Sequence, residues 1–331
     1  MQQPRLTIIV PCYDEEEVLP TSAKVLGTIV TKLIQSHQLD RESKVLFVDD
    51  GSTDQTWPII KKLEGQSERF CGLKFSRNFG HQNALMAGMQ VTGPTSDAII
   101  TIDADLQDDP NVIPEMVARF KAGNDVVLGV RNDRSSDSRF KRWTAETFYG
   151  MMRKIGVQLV PDHADFRLLS QRAVSALMEY SETNLFLRGI VPQLGFPTTK
   201  LYYKRRPRFA GTSKYPLKKM LHFAMDGITS FSIAPIKAIL SVGVFISAAS
   251  LFVMLLTLIE RLIGDPVDGW ASLMTSLWFL GGVQLIGISI VGEYVGKIFA
   301  EVKHRPRYII ETNDYTASEQ PAVLTKQRVN S

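Results

Sequence analysis

The 331-residue chain has only two cysteines, Cys12 and Cys71, too few for a disulfide framework. No Gly-x-Gly-x-x-Gly follows its first apolar run, and no Gly-x4-Gly-Lys-Ser/Thr occurs. The two common phosphate-binding turns are therefore missing. The five histidines show no ligand spacing. A net charge of +4 with 22% charged residues excludes a disordered polyelectrolyte. The most telling absence is local: Ala238–Ile259 and Trp270–Gly292 contain no Asp, Glu, Lys or Arg. The remaining 286 residues hold all 72 charged ones, about 25%, the usual density of a soluble domain.

As helices, these two stretches would reach roughly 33–35 Å, enough to cross a hydrocarbon core of about 30 Å. The connector Glu260–Gly269 carries Glu260, Asp265 and Asp268 against Arg261, whereas Lys200–Lys237 carries nine Lys/Arg against one acid. Lys297, Lys303, Arg305 and Arg307 follow the second stretch. The bias predicts a hairpin of two transmembrane helices in the inner (plasma) membrane, with both termini and the soluble part cytoplasmic. No N-terminal stretch resembles a signal peptide. The expected organisation is a cytoplasmic domain over 1–215, a juxtamembrane amphipathic helix over 216–236, the hairpin over 237–295 and a cytoplasmic tail over 296–331. Phe140–Ile155 and Leu217–Ile233 mix aromatics with Lys and Arg, as interfacial helices do.

In the soluble part, apolar runs at Leu6–Val10, Val45–Val48, Leu73–Phe75, Ala98–Ile102 and Val126–Val130 read as strands. Val18–Ile34, Gln55–Leu63, Asn83–Gln90 and Val112–Phe120 read as helices. This alternation predicts an α/β fold with a mostly parallel, Rossmann-like sheet, whose ligands lie beyond the carboxyl ends of the strands. Polar clusters fall at those ends: Pro11–Glu16, Asp49–Asp54, Arg77–Gly80 and Asp103–Gln107. Carboxylates do not bind phosphate directly, but they bind a metal that does.

Asp103-x-Asp105-x-Gln107 is the sharpest signal. In an extended chain these three side chains share a face and can converge on Mg2+ or Mn2+. Asp103 can alternatively bond a ribose. Asp49 and Asp50 suit a base or ribose, although Ser52 or Thr53 also reads as a helix cap there. Tyr13 can stack on the base, and either Asp14 or Glu15 can bond the nucleoside. Pro11 and Arg77 complete the set expected to line a nucleotide.

These motifs resemble those of the inverting GT-A glycosyltransferases of family 2. Pro11-Cys12-Tyr13-Asp14-Glu15, Asp49-Asp50-Gly51-Ser52 and Asp103-Ala104-Asp105-Leu106-Gln107 carry the likeness. Asp165-Phe166-Arg167-Leu168, the run Arg205–Tyr215 and Gly292–Tyr308 narrow it to the polyisoprenyl-phosphate glycosyltransferases, bactoprenol glucosyltransferases above all and dolichol-phosphate mannose synthases more distantly. Asp14 stands where that family commonly has Asn. The QxxRW motif of processive synthases is absent, since Arg139 rather than Gln precedes Arg142-Trp143.

The resemblance implies transfer of a hexose from a nucleotide sugar, UDP-glucose first, to a polyisoprenyl phosphate, undecaprenyl phosphate first. GDP-mannose or a UDP-amino-sugar are the alternative donors. It implies Asp105 and Asp165 as catalytic residues, with Asp165 the family's candidate base. An acceptor phosphate is already an anion at pH 7, so Asp165 can instead orient the acceptor, bond a sugar hydroxyl or hold Arg167 in a helix-starting turn. Arg131, Arg139, Lys141 and Arg142 form one basic group, and Arg205, Arg206, Arg208 and Lys214 with Ser213 another. They are expected to divide between substrate phosphate and anionic lipid. A homo-oligomer packed through Gly281, Gly282 and Gly287 is expected, and no nucleic-acid partner. His81 and His163 read as structural.

Overall fold

The computed structural model describes residues 3–132, 163–182, 186–204, 235–236, 239–246, 248–249, 252, 256 and 269–317. These fall into two units. One holds the described residues up to 204 together with 306–317; the other holds those from 235 to 305.

The first unit is built on an eight-stranded sheet. Its strands are β1 (Leu6–Cys12), β2 (Lys44–Asp49), β3 (Phe70–Phe75), β4 (Ala98–Thr101), β5 (Val126–Arg131), β6 (His163–Ser170), β7 (Thr198–Tyr203) and β8 (Ile310–Asn313). The spatial order is β7-β5-β6-β4-β1-β2-β3-β8. β1 pairs in parallel with β2 and β4, β2 with β3, and β5 with β7. β6 runs antiparallel to β4 and β5, and β8 antiparallel to β3. The sheet is thus mixed, though mostly parallel.

Every residue of β1, β2 and β4 is buried, as expected of central strands covered on both faces. Leu6, Ile8 and Val10 join the core with Leu19, Leu26 and Val30 of α1 (Leu19–Gln35). Each such side chain contributes about 1.5–3 kcal/mol by burial. On the other face lies α3 (His81–Thr92), where a Cβ on Gly88 would stand 2.6 Å from Ile9 Cγ2. Only glycine lets that helix sit so close to β1. α2 (Thr56–Gln66) and α4 (Ile113–Lys121) complete the expected alternation. α5 (Gln171–Met178) and the short α6 (Leu187–Ile190) follow β6.

Two expectations need correction here. Asp165 and Arg167 lie within strand β6, not in a helix-starting turn. Residues i and i+2 of a strand share a face, so the pair forms across the pleat. The second correction concerns the segment expected as a tail. It supplies β8 and α8 (Asp314–Ala317), and Tyr315 is fully buried beside the Thr7, Thr95 and Ser96 hydroxyls.

In the second unit, α7 runs from Trp270 to Val302, 33 residues, or about 50 Å. It continues past the expected end at Gly292, through Glu293, Lys297 and Glu301. Among the described residues, Phe279–Val302 is the one stretch long and apolar enough to cross a membrane. Of the first expected span only part is described; residues 239–246 are helical, and a Cβ on Gly287 would meet Ile239 Cγ2 at 3.4 Å. One candidate span is therefore present, and the hairpin remains a proposal.

Candidate active site

The loops after β1 and β2 are laced together by reciprocal hydrogen bonds. The Asp14 N–H donates to Ser52 Oγ (3.0 Å), and Asp14 Oδ1 accepts from the Thr53 N–H (2.8 Å). The Glu15 N–H donates to Thr56 Oγ1 (2.9 Å) and the Glu16 N–H to Asp54 Oδ2 (3.1 Å). Glu16 Oε2 accepts in return from the Gln55 N–H (2.9 Å). Asp14 holds a left-handed φ of 51°, which Asp and Asn tolerate better than most residues. The Asp-for-Asn departure therefore fits its backbone.

Asp49 and Asp50 are both buried, and burial raises both carboxyls against their hydrogen bonds. Asp50 is fully committed: Oδ1 accepts from the Phe79 N–H (2.7 Å) and Oδ2 from the Gly80 N–H (2.9 Å). It fixes the entry to α3. Asp49 Oδ1 accepts from the Ser52 N–H (3.1 Å), while Oδ2 has no hydrogen-bond partner. Of the two, Asp49 keeps an oxygen without a hydrogen bond, fully buried at the end of β2. Gly51 (φ 70°) lies against the Arg77–Asn78 backbone, and a Cβ there would stand 2.3 Å from the Arg77 carbonyl carbon. The Arg77 guanidinium covers the Phe79 ring at 4.0 Å. Tyr13 is 47% exposed, open for stacking, whereas Pro11 is buried in β1.

The acidic run after β4 is a turn, not the extended segment expected. β4 ends at Thr101, and Leu106 takes a φ of 47°. Ser22 Oγ, from α1, donates to the Ala104 carbonyl, and the Gln107 N–H donates to Asp105 Oδ1 (3.2 Å). The turn ends on buried Asp108, which accepts from Arg131 Nε (2.8 Å), Arg131 Nη2 (3.1 Å) and the Tyr203 hydroxyl (2.7 Å). Three strand-end segments are locked together by this one carboxylate.

Asp103 and Asp105 are partly exposed on this turn, and Gln107 is buried. Burial pushes the Asp103 carboxyl up to about 6; the His81 charge pulls against this, and Asp165, Asp108 and Asp105 add to it. Asp103 Oδ1 is a buried atom with no hydrogen bond. Crowded hard oxygens with one unsatisfied suit a divalent cation. Among the described residues no three His, Cys, Asp or Glu gather as a ready metal cluster. The described residues thus offer a partial shell, which is how Mg2+ is commonly held alongside substrate phosphates. The residues fit a divalent cation.

Asp165 sits next to this turn, its side chain 7% exposed. Its Oδ1 accepts from Arg167 Nη2 (2.5 Å) and Arg188 Nε (3.2 Å), and its Oδ2 from Arg188 Nη2 (2.9 Å). Burial alone would raise this carboxyl, but His81, Arg188 and Arg167 outweigh it and hold it well below the usual range. A carboxylate so held is a poor proton acceptor near neutral pH. His81 Nε2 lies 3.6 Å from Asp103 Oδ1 and 3.7 Å from Asp165 Oδ2. Burial lowers its pKa, and those two acids more than restore it, for a net rise. His163, buried at the start of β6, has no hydrogen bond at either ring nitrogen. Burial and then the Arg167 charge keep it neutral.

The structure thus gathers Asp103, Asp105, Gln107, Arg131 and Asp165 on one side, and Tyr13, Asp14, Glu15, Asp49, Asp50 and Arg77 around the laced loops. Arg139, Lys141, Arg142, Arg205, Arg206, Arg208, Ser213 and Lys214 lie outside the described residues, as do the two expected interfacial helices. Sequence reasoning left His81 as structural and passed over Arg188 and Asp108. His81 had one signal, its place directly after the Arg77–Gly80 strand end. Arg188 had none, because its partner is 23 positions away.

The sequence profile described as Glycosyl transferase family 2 matches residues 7–178. The chain is 48% identical over 325 residues to the uncharacterized glycosyltransferase YkoT of Bacillus subtilis, covering 98% of this chain and 96% of that protein. It is 40% identical over 309 residues to the bactoprenol glucosyl transferase of Shigella phage SfV, covering 93% and 98%. Among solved structures, glucosyl-3-phosphoglycerate synthase from Mycobacterium tuberculosis, in complex with Mn2+, UDP-glucose and phosphoglyceric acid, aligns with a TM-score of 0.44 at 15% identity. That alignment covers 67% of this chain and 76% of that one.

Proposed function

The chain belongs to glycosyl transferase family 2, and from that premise we propose that it transfers a hexose from a nucleotide sugar to a polyisoprenyl phosphate at the cytoplasmic face of a membrane. UDP-glucose and undecaprenyl phosphate are the leading donor and acceptor. The observation that carries this reading is the Asp103–Asp108 turn placed beside the arginine-held Asp165. One side of the site can neutralise a leaving diphosphate, and the other is rich in fixed positive charge. The 40% identity to a bactoprenol glucosyl transferase over nearly its whole length supports the lipid acceptor.

Each residue then has a task. Tyr13 offers a face to the base, and Asp49 Oδ2 an acceptor to the nucleoside. Asp103 and Asp105, with Gln107, would hold Mg2+ or Mn2+, which when bound offsets the charge that builds on the diphosphate. The acceptor phosphate is largely dianionic at pH 7 and attacks the anomeric carbon from the face opposite the diphosphate, so configuration inverts. It needs no base, which agrees with a carboxylate at Asp165 that is ionised and fully engaged. Catalysis is then positioning and electrostatics. Lys141, Arg142, Arg205, Arg206, Arg208, Ser213 and Lys214 are proposed to receive phosphate or anionic lipid. Gly281, Gly282 and Gly287 are proposed to favour a homo-oligomer.

The test is transfer of labelled sugar to undecaprenyl phosphate by the detergent-solubilised chain, run over a panel of UDP- and GDP-sugars. UDP-glucose is expected to give the highest kcat/KM; absence of lipid product with every donor would overturn the reading. For topology, a cysteine placed at 265 should react with an impermeant reagent from the outside only.

A further inference from the structure

Asp165 has both oxygens committed to Arg167 and Arg188. Arg188 is less fully used. It gives Nε and Nη2 to Asp165, makes no hydrogen bond from Nη1 among the described residues, and has a side chain 43% exposed. Arg131 is held in a comparable way: Nε and Nη2 lie on Asp108, and the Tyr203 hydroxyl stands beside the same guanidinium. The two arginines come from different elements, the end of β5 and the short α6. Each is gripped along one edge by a buried carboxylate, and Arg188 is the more exposed of the two. The N-terminus of α6 is tied down as well, since the Leu187 N–H donates to Gln82 Oε1 of α3 (3.4 Å). The Arg131 charge bears on Arg188, a repulsion that an anion between them would relieve. Strand pairing sets Val130 opposite His163, so the unsatisfied His163 ring lies at the same end of the sheet.

We propose that Arg188 is a phosphate-binding residue of the transfer reaction, acting with Arg131, and that Asp165 is the positioning residue that aims it. A guanidinium fixed along one edge has already lost its rotamer freedom, so its free edge meets phosphate oxygen with little further ordering. Asp165 then acts through Arg188, without taking a proton. The proposal rests on the reading of the substrates as phosphate-bearing. The phosphate belongs either to the lipid acceptor or to the nucleotide donor, and the two are separated by which one loses saturation.

The experiment uses the full chain in detergent: wild type, Arg188→Gln, Arg188→Lys, Asp165→Asn and the Asp165→Asn/Arg188→Gln double variant. Arg188→Gln is expected to raise KM for one phosphate substrate roughly 10- to 100-fold, the loss of a charge-assisted hydrogen bond, with a smaller change in kcat. Arg188→Lys should recover part of this. Arg188→Gln leaves buried Asp165 with Arg167 as its remaining arginine, so its thermal midpoint should fall, but by less than that of Asp165→Asn, and Arg188→Lys should fall least. The double variant should be within about threefold of Asp165→Asn alone, since the two residues act as one unit. Without turnover, equilibrium binding of UDP or of a short prenyl phosphate should weaken in the same arm. Unchanged KM for both substrates, or losses that multiply in the double variant, would overturn the proposal. If wild type transfers no sugar yet binds one of these probes, and Arg188→Gln binds it at least tenfold more weakly, the phosphate site stands and the transfer reading falls.

Discussion

The two halves of the sheet's carboxyl edge use their acids in opposite ways. Beyond β1 and β2, carboxylates are taken up by backbone N–H groups: Asp14 by Thr53, Glu16 by Gln55, Asp49 by Ser52, Asp50 by Phe79 and Gly80. After β4 and near the start of β6 the buried acids are taken up by arginines, Asp108 by Arg131 and Asp165 by Arg167 and Arg188, while Asp105 accepts from the Gln107 N–H. Neutral donors shape a loop without bringing counter-charge. Arginines bring counter-charge together with spare donors. A nucleoside is recognised largely by shape and neutral hydrogen bonds, and a phosphate by charge. Under the proposed function, the contrast would divide the site between the nucleoside end of a donor and the phosphates of donor and acceptor.

The contrast breaks most severely at Asp165. Asp165→Asn leaves buried Arg167 without its counter-ion and should cost about 3–5 kcal/mol of stability, read by thermal or urea unfolding of the detergent-solubilised chain. The folded carboxyl titrates below its unfolded value, so this stabilisation is complete above about pH 4 and is lost as pH falls through the folded value. The gap between variant and wild type should close only in acid. In the pH–rate profile, both proteins should keep an acid limb near pH 6 that follows acceptor phosphate ionisation. A limb confined to wild type would restore Asp165 as a base.

Asp105→Asn comes next. It should lower activity about 100-fold, close to 3 kcal/mol of transition-state stabilisation, with little change in the unfolding midpoint. EDTA should silence wild type, and Mg2+ or Mn2+ should restore it; full activity in metal-free buffer would remove the metal from the scheme. On the neutral side the effects should be smaller and structural. Asp50→Asn weakens two hydrogen bonds to the α3 entry and should cost about 1–3 kcal/mol of stability, with KM for the nucleotide sugar rising as the Phe79–Gly80 segment loosens. Smallest is Glu16→Gln, an exposed cap, at about 0.5 kcal/mol or less, with unchanged kcat. A loss there as large as at Asp165 would erase the distinction between the two halves.

Much of this architecture is legible in the residues alone. Five strand runs and four helices fall within a few positions of where periodicity places them, because each carries its own apolar face. The strand-end clusters were visible too, since polar residues in a parallel sheet collect beyond the carboxyl ends. Individual roles within them were not. Asp49 and Asp50 look equivalent in sequence, yet one keeps a bare oxygen and the other is consumed by the Phe79 and Gly80 N–H groups. The Asp103–Gln107 spacing suggested a straight segment, and a bond from Ser22, 82 residues away, helps hold it as a turn.

By itself, then, the sequence determined the strand–helix alternation, the acidic strand ends and the uncharged stretch within α7, because these follow from local pattern and the cost of burying charge. Tertiary structure alone decided that 310–313 returns as an edge strand on β3, that His81 stands between Asp103 and Asp165, and that Asp165 is held by two arginines. These are pairings between distant segments, selected by which partners the closed sheet brings within hydrogen-bonding distance. No local period records them, because the free energy that chooses them exists only once the chain has folded.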